Sequence, residues 1–420
     1  MSSLSNKKVV VLSGIGAVLE FYDFCLYIVF SKEISATFFS GIESEILKGI
    51  FTVIIFSIAY IIRPFAGTLL GSIGDVIGRK KLFTFTIMLM GICSFLMGVL
   101  PGYATLGITA TVLFVALRVL QGVALGGELP AAYVIVYESV QKNFGAAFGL
   151  LFTFITFGFL FSDLVAYFFG VLFGDYAWRM SFIFGGILAF FGYYVRLNLH
   201  ETPQFLNLQK KDKIPFLVLF KKYSLRVVAG TCLTVVIAFG GVMLTLYMHE
   251  LVGKLIDLPS SEISFILAPS LLALSIATYV FGYRADKIGL RKTYAIACFL
   301  LLILVFPSIY IITSIKTPLA VIFGTSVLTI LFGMYVSVAL YFICDLFPTD
   351  VRLSGVGLSY NLAFALVGGF APLASHSIAV ISGKIYLGFS IVAIVCALLG
   401  LFGLFLYNRN LNKLYKSKII

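Results

Sequence analysis

Two acidic residues stand inside the first long apolar run of the sequence, where charge is costly. Glu20 and Asp23 belong to the stretch GAVLEFYDFCLY, and an ionisable side chain in hydrocarbon costs about 2.5–3.5 kcal/mol on insertion scales. Together with Tyr27 they have i, i+3, i+7 spacing, which places all three on one face of a helix. Two carboxylates close together in a low-dielectric medium resist being ionised at the same time, which suits a reversible proton carrier. The alternative is that both acids pair with buried arginines and only hold helices together.

A permanently charged partner for these acids stands in the fourth apolar run. Arg118 and Gln121 share one face of the stretch LRVLQGVALGGELP, and a guanidinium binds a carboxylate through two parallel hydrogen bonds. Near the middle of a membrane Arg118 could bind an anionic substrate, or pair with Glu20 and Asp23 when the site is empty. We therefore predict Arg118, Gln121 and Tyr27 as substrate-binding residues. A permanent structural ion pair is the alternative.

The second half of the sequence offers neutral hydrogen-bonding groups for the same substrate. Tyr341 lies in the tenth apolar run, and Tyr360 and Asn361 lie in the eleventh. We predict that these three side chains bind the substrate, although aromatic residues in helices more often serve packing alone. Glu128 and Glu138, further along the fourth run, are interpreted as structural or gating groups.

A short loop occurs twice, with every matching position 211 residues apart. Its two copies are Gly71-x-x-Gly74-Asp75-x-x-Gly78-x-Lys80-Lys81 and Gly282-x-x-Ala285-Asp286-x-x-Gly289-x-Arg291-Lys292. Such a repeat indicates two related halves, a design common in secondary transporters.

The charges of this loop suggest a latch between helices. Asp75 follows a glycine turn and precedes the third apolar run, and Arg79 stands close to it. A charge cluster of this kind can hold helices together in one conformation and release them in another. We predict a gate or latch built from both loops, with the alternative that the positive charges only fix the topology. Its predicted members are Arg63, Gly71, Asp75, Gly78, Arg79, Gly282, Asp286, Gly289 and Arg291, with Glu128 and Glu138 beside them.

The composition requires a lipid environment. The chain has 420 residues, of which 61% are hydrophobic and 11% are charged, whereas soluble proteins carry about 25% charge. The net charge of +12 does not indicate nucleic-acid binding, because the basic residues cluster in loops and form no separate stripe.

Twelve segments are long and apolar enough to cross a bilayer, which takes about 20 residues. They are 9–30, 48–70, 82–100, 108–136, 144–173, 180–198, 226–248, 262–283, 293–313, 319–342, 354–380 and 385–407. If the N-terminus is cytoplasmic, twenty-two of the 30 Lys and Arg residues fall inside and six outside. The positive-inside rule therefore predicts that both termini are cytoplasmic.

The predicted organisation is an all-α membrane protein with two pseudo-symmetric six-helix halves. Residues 1–197 form the first half, 198–225 a charged cytoplasmic linker, and 226–420 the second half with a short basic tail. No phosphate-binding loop and no paired metal ligands are present, and the six cysteines make no CxxC pair. We therefore predict no enzymatic activity, no metal and no cofactor.

Several stretches together resemble the metabolite:proton symporter family of the major facilitator superfamily. They are the paired loops, Glu20-Phe-Tyr-Asp23-Phe, Arg63-Pro-Phe, Arg118-Val-Leu-Gln-Gly through Glu128, Trp178-Arg179, Glu201-Thr-Pro-Gln-Phe205, and Phe347-Pro-Thr-Asp-Val-Arg352 before Tyr360-Asn361. The resemblance has two departures. Val76 replaces the arginine usual after the loop aspartate, and the tail is too short for the coiled coil of osmosensing members.

The resemblance implies the major facilitator fold and proton-coupled uptake of a small polar metabolite by alternating access. The substrate would be an organic acid or a zwitterion such as proline or betaine, with protons and the lipid bilayer as the other partners. It implies a bacterial inner-membrane protein, expected as a monomer that binds no nucleic acid. Two alternatives stay open: an exporter of a small molecule or siderophore-like carboxylate, and a membrane sensor that transports nothing.

Overall fold

The structure is a computed structural model that describes residues 6–41, 44–208, 215–256 and 260–417. Twelve long helices follow one another in this part of the chain. They are α1 (Asn6–Val29), α2 (Glu45–Ile77), α3 (Arg79–Val99), α4 (Ile108–Ser139), α5 (Phe144–Phe173), α6 (Ala177–Leu197), α7 (Ser224–Phe239, continued by Gly240–Tyr247 and Met248–Leu255), α8 (Ser260–Ile288), α9 (Leu290–Ile315), α10 (Pro318–Asp345), α11 (Arg352–Ala363, continued by Phe364–Gly368 and Gly369–Ser382) and α12 (Ile385–Ser417). Short helices, Ser31–Phe38, Tyr103–Leu106, Pro203–Leu206 and Pro215–Lys222, occupy connections.

The length and apolar composition of these helices fit a bilayer. Ten stretches of the described residues are long and apolar enough to cross a membrane, and one of them, Phe144–Leu197, contains both α5 and α6. The remaining helix, α2, has 33 residues and at a rise of about 1.5 Å per residue is longer than the hydrocarbon core. Each of the twelve predicted spans therefore corresponds to one helix. The charged run 209–213 of the predicted linker lies outside the described residues.

Two helices of the second half change their winding partway along. In α7 the segment Gly240–Tyr247 is π-helical, and in α11 the segment Phe364–Gly368 is π-helical. Such local widening of a helix often occurs at functional sites. Gly241 and Thr245 of the first segment and Phe364 of the second line a central cavity that is described below.

The helices pack as two groups joined by two close contacts. Within the first group α1 packs on α5, α2 on α4, and α3 on α4 and α6; within the second, α10 packs on α8 and α9, and α12 on α7, α9 and α11. Between the groups, α2 packs along α11 and α5 packs along α8. These two are the most extensive contacts between the halves of the chain, and smaller ones join α5 to α10 and α4 to α11.

Glycines allow the backbones to meet along both contacts. A Cβ atom on Gly71 would lie 2.8 Å from the carbonyl oxygen of Leu353, and one on Gly357 would lie 2.5 Å from that of Gly67. A Cβ on Gly145 or on Gly282 would lie within 3.0 Å of the other residue's carbonyl oxygen. Small residues of this kind are what close packing of membrane helices requires. We call these contacts the α2–α11 seam and the α5–α8 seam.

Candidate functional site

Asp23 lies in a buried hydrogen-bond network that joins three helices of the first half. Ser94 of α3 donates its hydroxyl proton to Asp23 Oδ1, and Gln121 Nε2 of α4 donates to Asp23 Oδ2 at 2.5 Å. Arg118 Nη1 in turn donates to Gln121 Oε1 at 2.7 Å. Gln121 thus bridges the acid of α1 and the arginine of α4, with all of these residues buried.

Arg118 also lies against an aromatic ring. Its guanidinium carbon is 4.1 Å from the centre of the Tyr27 ring, a distance at which a cation is attracted to a ring face. Tyr27 belongs to a buried aromatic cluster with Phe38 and Phe114. Arg118 is therefore enclosed within the first half of the chain.

Glu20 is buried at 3% exposure, and neither of its carboxylate oxygens accepts a hydrogen bond from any described residue. It lines a small cavity with an empty volume of about 270 Å³, together with Asp23, Ser94 and Glu128. The charges that act on Glu20 come from Glu128, Arg63 and Arg196. A buried carboxyl group without a hydrogen-bond donor is costly in its ionised form.

Glu128, in contrast, is fully engaged. Arg196 of α6 forms an ion pair with it, Nη1 lying 3.1 Å from Oε2, and Thr86 of α3 donates a hydrogen bond to the same oxygen. The Arg196 guanidinium also stacks 3.5 Å from the centre of the Phe83 ring. These contacts tie α3, α4 and α6 together.

A larger cavity, which we call the central cavity, lies between the two halves and has an empty volume of about 610 Å³. Most of its wall is apolar, and one lining residue, Arg63 of α2, is charged. The lining residues are Phe21, Phe24, Arg63, Leu125, Leu129, Phe152, Ile155, Thr156, Phe159, Ile237, Gly241, Thr245, Leu274, Phe332, Tyr360 and Phe364. Of the predicted substrate-binding residues, Tyr360 lies on this wall.

Arg63 connects the halves at the edge of this cavity. Its Nε donates to Asn361 Oδ1 at 2.9 Å, and its guanidinium lies 4.7 Å from the centre of the Phe364 ring. Asn361 Nδ2 donates in turn to the carbonyl oxygens of Gly126 and Gly357, both at 2.8 Å. Asn361 thus joins α2, α4 and α11.

The loop aspartates bind helix ends in the opposite half. Asp75 accepts hydrogen bonds from the amides of Leu353 and Ser354, at 3.1 and 2.8 Å, in the first turn of α11. Asp286 accepts from the amides of Gly145 and Ala146, at 2.8 and 2.9 Å, in the first turn of α5. An anion is favourable at a helix N-terminus because the unpaired amides and the helix dipole point toward it.

The turns that follow both aspartates have the same backbone conformation. Gly78 has φ 117° and Gly289 has φ 109°, which a residue with a side chain rarely adopts. Both turns lie at one end of the bundle, which we call the loop end. The 211-residue repeat is therefore a repeat of structure as well as of sequence.

Glu138 is the centre of a charge cluster at the loop end. Arg79 Nε lies 3.2 Å from Glu138 Oε2, and Arg352 Nη1 from the start of α11 lies 2.7 Å from Glu138 Oε1. Arg79 also pairs with Asp75 at 3.1 Å. Thr202 donates its hydroxyl proton to Glu138 Oε2 at 2.5 Å. Arg352 and Thr202 were not among the predicted site residues, although both lie in stretches that carry the family resemblance, 347–352 and 201–205.

Several predicted site residues lie apart from the central cavity. Tyr341 packs 5.7 Å from Tyr137 and 5.0 Å from Phe144, ring centre to ring centre, because it lies one turn from the loop end of α10. Arg291 is exposed and lies 5.5 Å from the centre of the Tyr407 ring. Arg118, Gln121 and Tyr27 do not line the larger cavity either. They belong to the network of Asp23, and their role in binding the substrate stays a prediction.

Long apolar helices that bury acids and arginines around internal cavities form a multi-pass membrane transport protein. The chain belongs to the Major Facilitator Superfamily, whose family model matches residues 15–372 and 230–418. It is 30% identical over 394 residues to the inner membrane metabolite transport protein YhjE of Escherichia coli. The aligned region covers 88% of this chain and 87% of that protein. It is 29% identical over 384 residues to the ectoine/proline transporter ProP of Corynebacterium glutamicum, with 86% and 75% covered.

Solved structures have the same fold. The proton:xylose symporter XylE superposes with a TM-score of 0.81 over 94% of each chain, at 16% sequence identity. The human organic anion transporter MFSD10 superposes with a TM-score of 0.74 over 96% of this chain and 100% of that one, at 14% identity. These relatives and structural neighbours are transporters and not enzymes.

Proposed function

We propose that this protein is a proton-coupled carrier that takes a small zwitterion, of the proline or betaine type, into a bacterial cell by alternating access. The observation that carries the proposal is the buried network Asp23–Gln121–Arg118, which is separated from a second, larger cavity between the halves. A transporter needs two such places, one for the coupling ion and one for the substrate. The name of the ectoine/proline relative supports the zwitterion.

Asp23 and Glu20 are the proposed proton sites. Asp23 is joined through Gln121 to a cation that cannot lose its charge, so adding a proton to Asp23 weakens its hold on Gln121 and Arg118. Glu20 lies in the same small cavity and accepts no hydrogen bond from a described residue. A proton that enters this cavity can therefore change how α1 packs against α4.

The seams and the loop-end cluster are the proposed gate. Asp75, Asp286 and Glu138 each bind a group from the other half, so the loop end is closed in this structure. Opening it breaks charge-assisted hydrogen bonds, which bound substrate and proton must offset. We further propose that the loop end is cytoplasmic, that residues 1–197 and 226–420 are the moving halves on either side of the linker 198–225, and that the carrier is a monomer.

Transport in right-side-out membrane vesicles tests this function. Radiolabelled proline or glycine betaine should accumulate above its external concentration when the outside is acidic, and a protonophore should abolish the accumulation. Vesicles that carry Asp23→Asn are the matched control. Failure to accumulate either compound under this gradient would reject the proposal, and accumulation only in inverted vesicles would indicate an exporter.

A further inference from the structure

The α2–α11 seam has a regular spacing that leads from the central cavity to the loop end. On α2 its members are Arg63, Gly67, Gly71 and Asp75, each four residues after the last, so they share one helix face. Their partners on α11 are equally regular: Asn361, Gly357, and Leu353 with Ser354. Twelve residues of helix span about 18 Å. The residue that lines the cavity and the residue that closes the gate therefore belong to the same seam between α2 and α11.

The α5–α8 seam repeats this arrangement with one difference. Applying the 211-residue offset to α2 gives Leu274, Thr278, Gly282 and Asp286 on α8. Thr278 and Gly282 meet Gly149 and Gly145 of α5 at backbone distance, and Asp286 binds the first turn of α5. At the cavity end, however, Leu274 replaces Arg63, and both line the cavity. A charged ligand can therefore act on one seam and not on the other.

Within the central cavity Arg63 is the natural partner of a carboxylate. It is 3% exposed, and it is the one charged side chain among the lining residues described above. A guanidinium that gives one of its donors to the neutral amide oxygen of Asn361 gains more from an ionised acceptor, since charge-assisted hydrogen bonds are roughly twice as strong. A substrate carboxylate therefore competes with Asn361 for Arg63.

The rest of the wall fits a weakly hydrated cation. Seven of the lining side chains are aromatic: Phe21, Phe24, Phe152, Phe159, Phe332, Tyr360 and Phe364. None of the lining residues that the structure describes is an acid that could pair with an ammonium group, whereas ring faces attract quaternary and ring ammonium ions. One guanidinium and several rings match one carboxylate and one such cation, and they do not match a di- or tricarboxylate.

We propose that Arg63 binds the substrate carboxylate and leaves Asn361 in doing so, so that substrate binding loosens the α2–α11 seam before the α5–α8 seam. This inference rests on the proposed transport of a zwitterion and names the residue that recognises it. It makes Arg63 a residue for both specificity and coupling. After it separates from Arg63, Asn361 keeps its hydrogen bonds to the carbonyl oxygens of Gly126 and Gly357. The helix α11 therefore stays attached to α4 while its contact with α2 is weakened.

Hydrogen exchange of the full-length protein in lipid nanodiscs reads each seam separately. The amides of Leu353 and Ser354 report on one seam, and those of Gly145 and Ala146 report on the other. With saturating glycine betaine or proline, we expect deuterium uptake of residues 353–356 to rise at least threefold and that of residues 145–148 to change less. Equal changes at both seams, or none, would overturn the proposal.

Variants separate recognition from structure. Arg63→Gln should weaken binding of glycine betaine at least tenfold, and Arg63→Lys should weaken it less. Arg284 is exposed, so Arg284→Gln should have a Kd for glycine betaine within twofold of the wild-type value. Asn361→Ala should show raised uptake at residues 353–356 before any ligand is added, because it removes the partner of Arg63 on α11. This last variant decides the question if Arg63→Gln fails to fold.

The outcomes also separate this inference from the proposed function. Wild-type protein that binds neither probe overturns both. Wild-type protein that binds and transports, with Arg63→Gln binding equally well, overturns the role of Arg63 alone.

Discussion

Asp75 and Ser354, 279 residues apart in sequence, are joined by two hydrogen bonds: the Ser354 amide donates at 2.8 Å and its hydroxyl at 2.5 Å. The acid lies in the last turn of α2 and the serine in the first turn of α11. The same relationship, with the halves exchanged, joins Asp286 to the first turn of α5. Each half thus binds a helix end of the other, and two reciprocal sets of hydrogen bonds close the loop end.

Asp75→Asn should shift the protein toward the conformation that is open at the loop end. The amide keeps the shape but loses the charge that favours a helix N-terminus, an effect of about 0.3–2 kcal/mol, and it also loses the pair with Arg79. The buried Cys344, near Arg352, should then react faster with a maleimide, by about threefold to thirtyfold. Asp286→Asn should have a smaller effect. Asp286 accepts hydrogen bonds from two backbone amides, whereas Asp75 also accepts one from the Ser354 hydroxyl and pairs with Arg79. An unchanged labelling rate in both variants would remove the aspartates from the gate.

Gly282→Ala should prevent closure of the α5–α8 seam. The new methyl group would lie within 3.0 Å of the Gly145 backbone, so the helices must separate. Transport should fall more than tenfold while the protein still reaches the membrane, as judged by detergent extraction and size-exclusion chromatography. Gly369→Ala is the matched control, because a Cβ there meets nothing within 4 Å. Normal transport by Gly282→Ala would contradict the seam.

Asp23→Asn should abolish accumulation driven by a pH gradient and leave exchange of labelled for unlabelled substrate partly intact. The amide oxygen can still accept the hydrogen bond from Gln121, and the amide nitrogen can donate to the Ser94 hydroxyl, but the side chain cannot gain or lose a proton. Counterflow in liposomes measures exchange, and uptake under an imposed gradient measures coupling. Glu33→Gln, at an exposed position, should leave both intact. If Asp23→Asn still concentrates substrate, the proton site lies elsewhere.

Arg118→Lys should impair coupling more than substrate affinity. Lysine keeps the charge but cannot bond Gln121 and face the Tyr27 ring in the same way. We expect the substrate Kd to stay within about threefold and gradient-driven uptake to fall about tenfold or more. The reverse pattern, weak binding with normal coupling, would return Arg118 to the substrate site.

Glu128→Gln should destabilise the first half without acting on the substrate. Removing one partner of a buried ion pair typically costs about 3–5 kcal/mol, and here it leaves Arg196 without its carboxylate. Thermal unfolding should show a lower Tm, and Arg196→Met in the same chain should recover part of the loss. A Tm equal to that of wild type would indicate that the pair contributes little to stability.

Much of the fold could be predicted from the sequence, because lipid imposes simple rules on composition. Spans of about 20 apolar residues gave twelve helices, and the 211-residue offset identified Asp75 and Asp286 as equivalent. Their partners could not be found in this way, since spacing along one helix does not say which other helix it faces. The residues of α11 and α5 that close each seam became visible only in three dimensions.

The same reason explains why the surroundings of the predicted substrate-binding residues could not be read from the sequence. Helical periodicity correctly grouped Arg118 with Gln121, and it placed Asp23 with Tyr27 on α1. It could not show that this face of α4 points into the first half, whereas Arg63 of α2 points into the space between the halves. The position of Tyr341 close to the loop end could not be predicted either, because its depth along α10 depends on where the helix ends.

The bond between Arg63 and Asn361 has a consequence for inhibition. A small quaternary ammonium compound without an acidic group can occupy the aromatic wall, yet it has nothing with which to draw the guanidinium away from its amide partner. Such a compound is expected to bind without loosening the α2–α11 seam, so that it is not transported. Tetramethylammonium and its larger analogues are therefore starting points for inhibitors that keep the loop end closed.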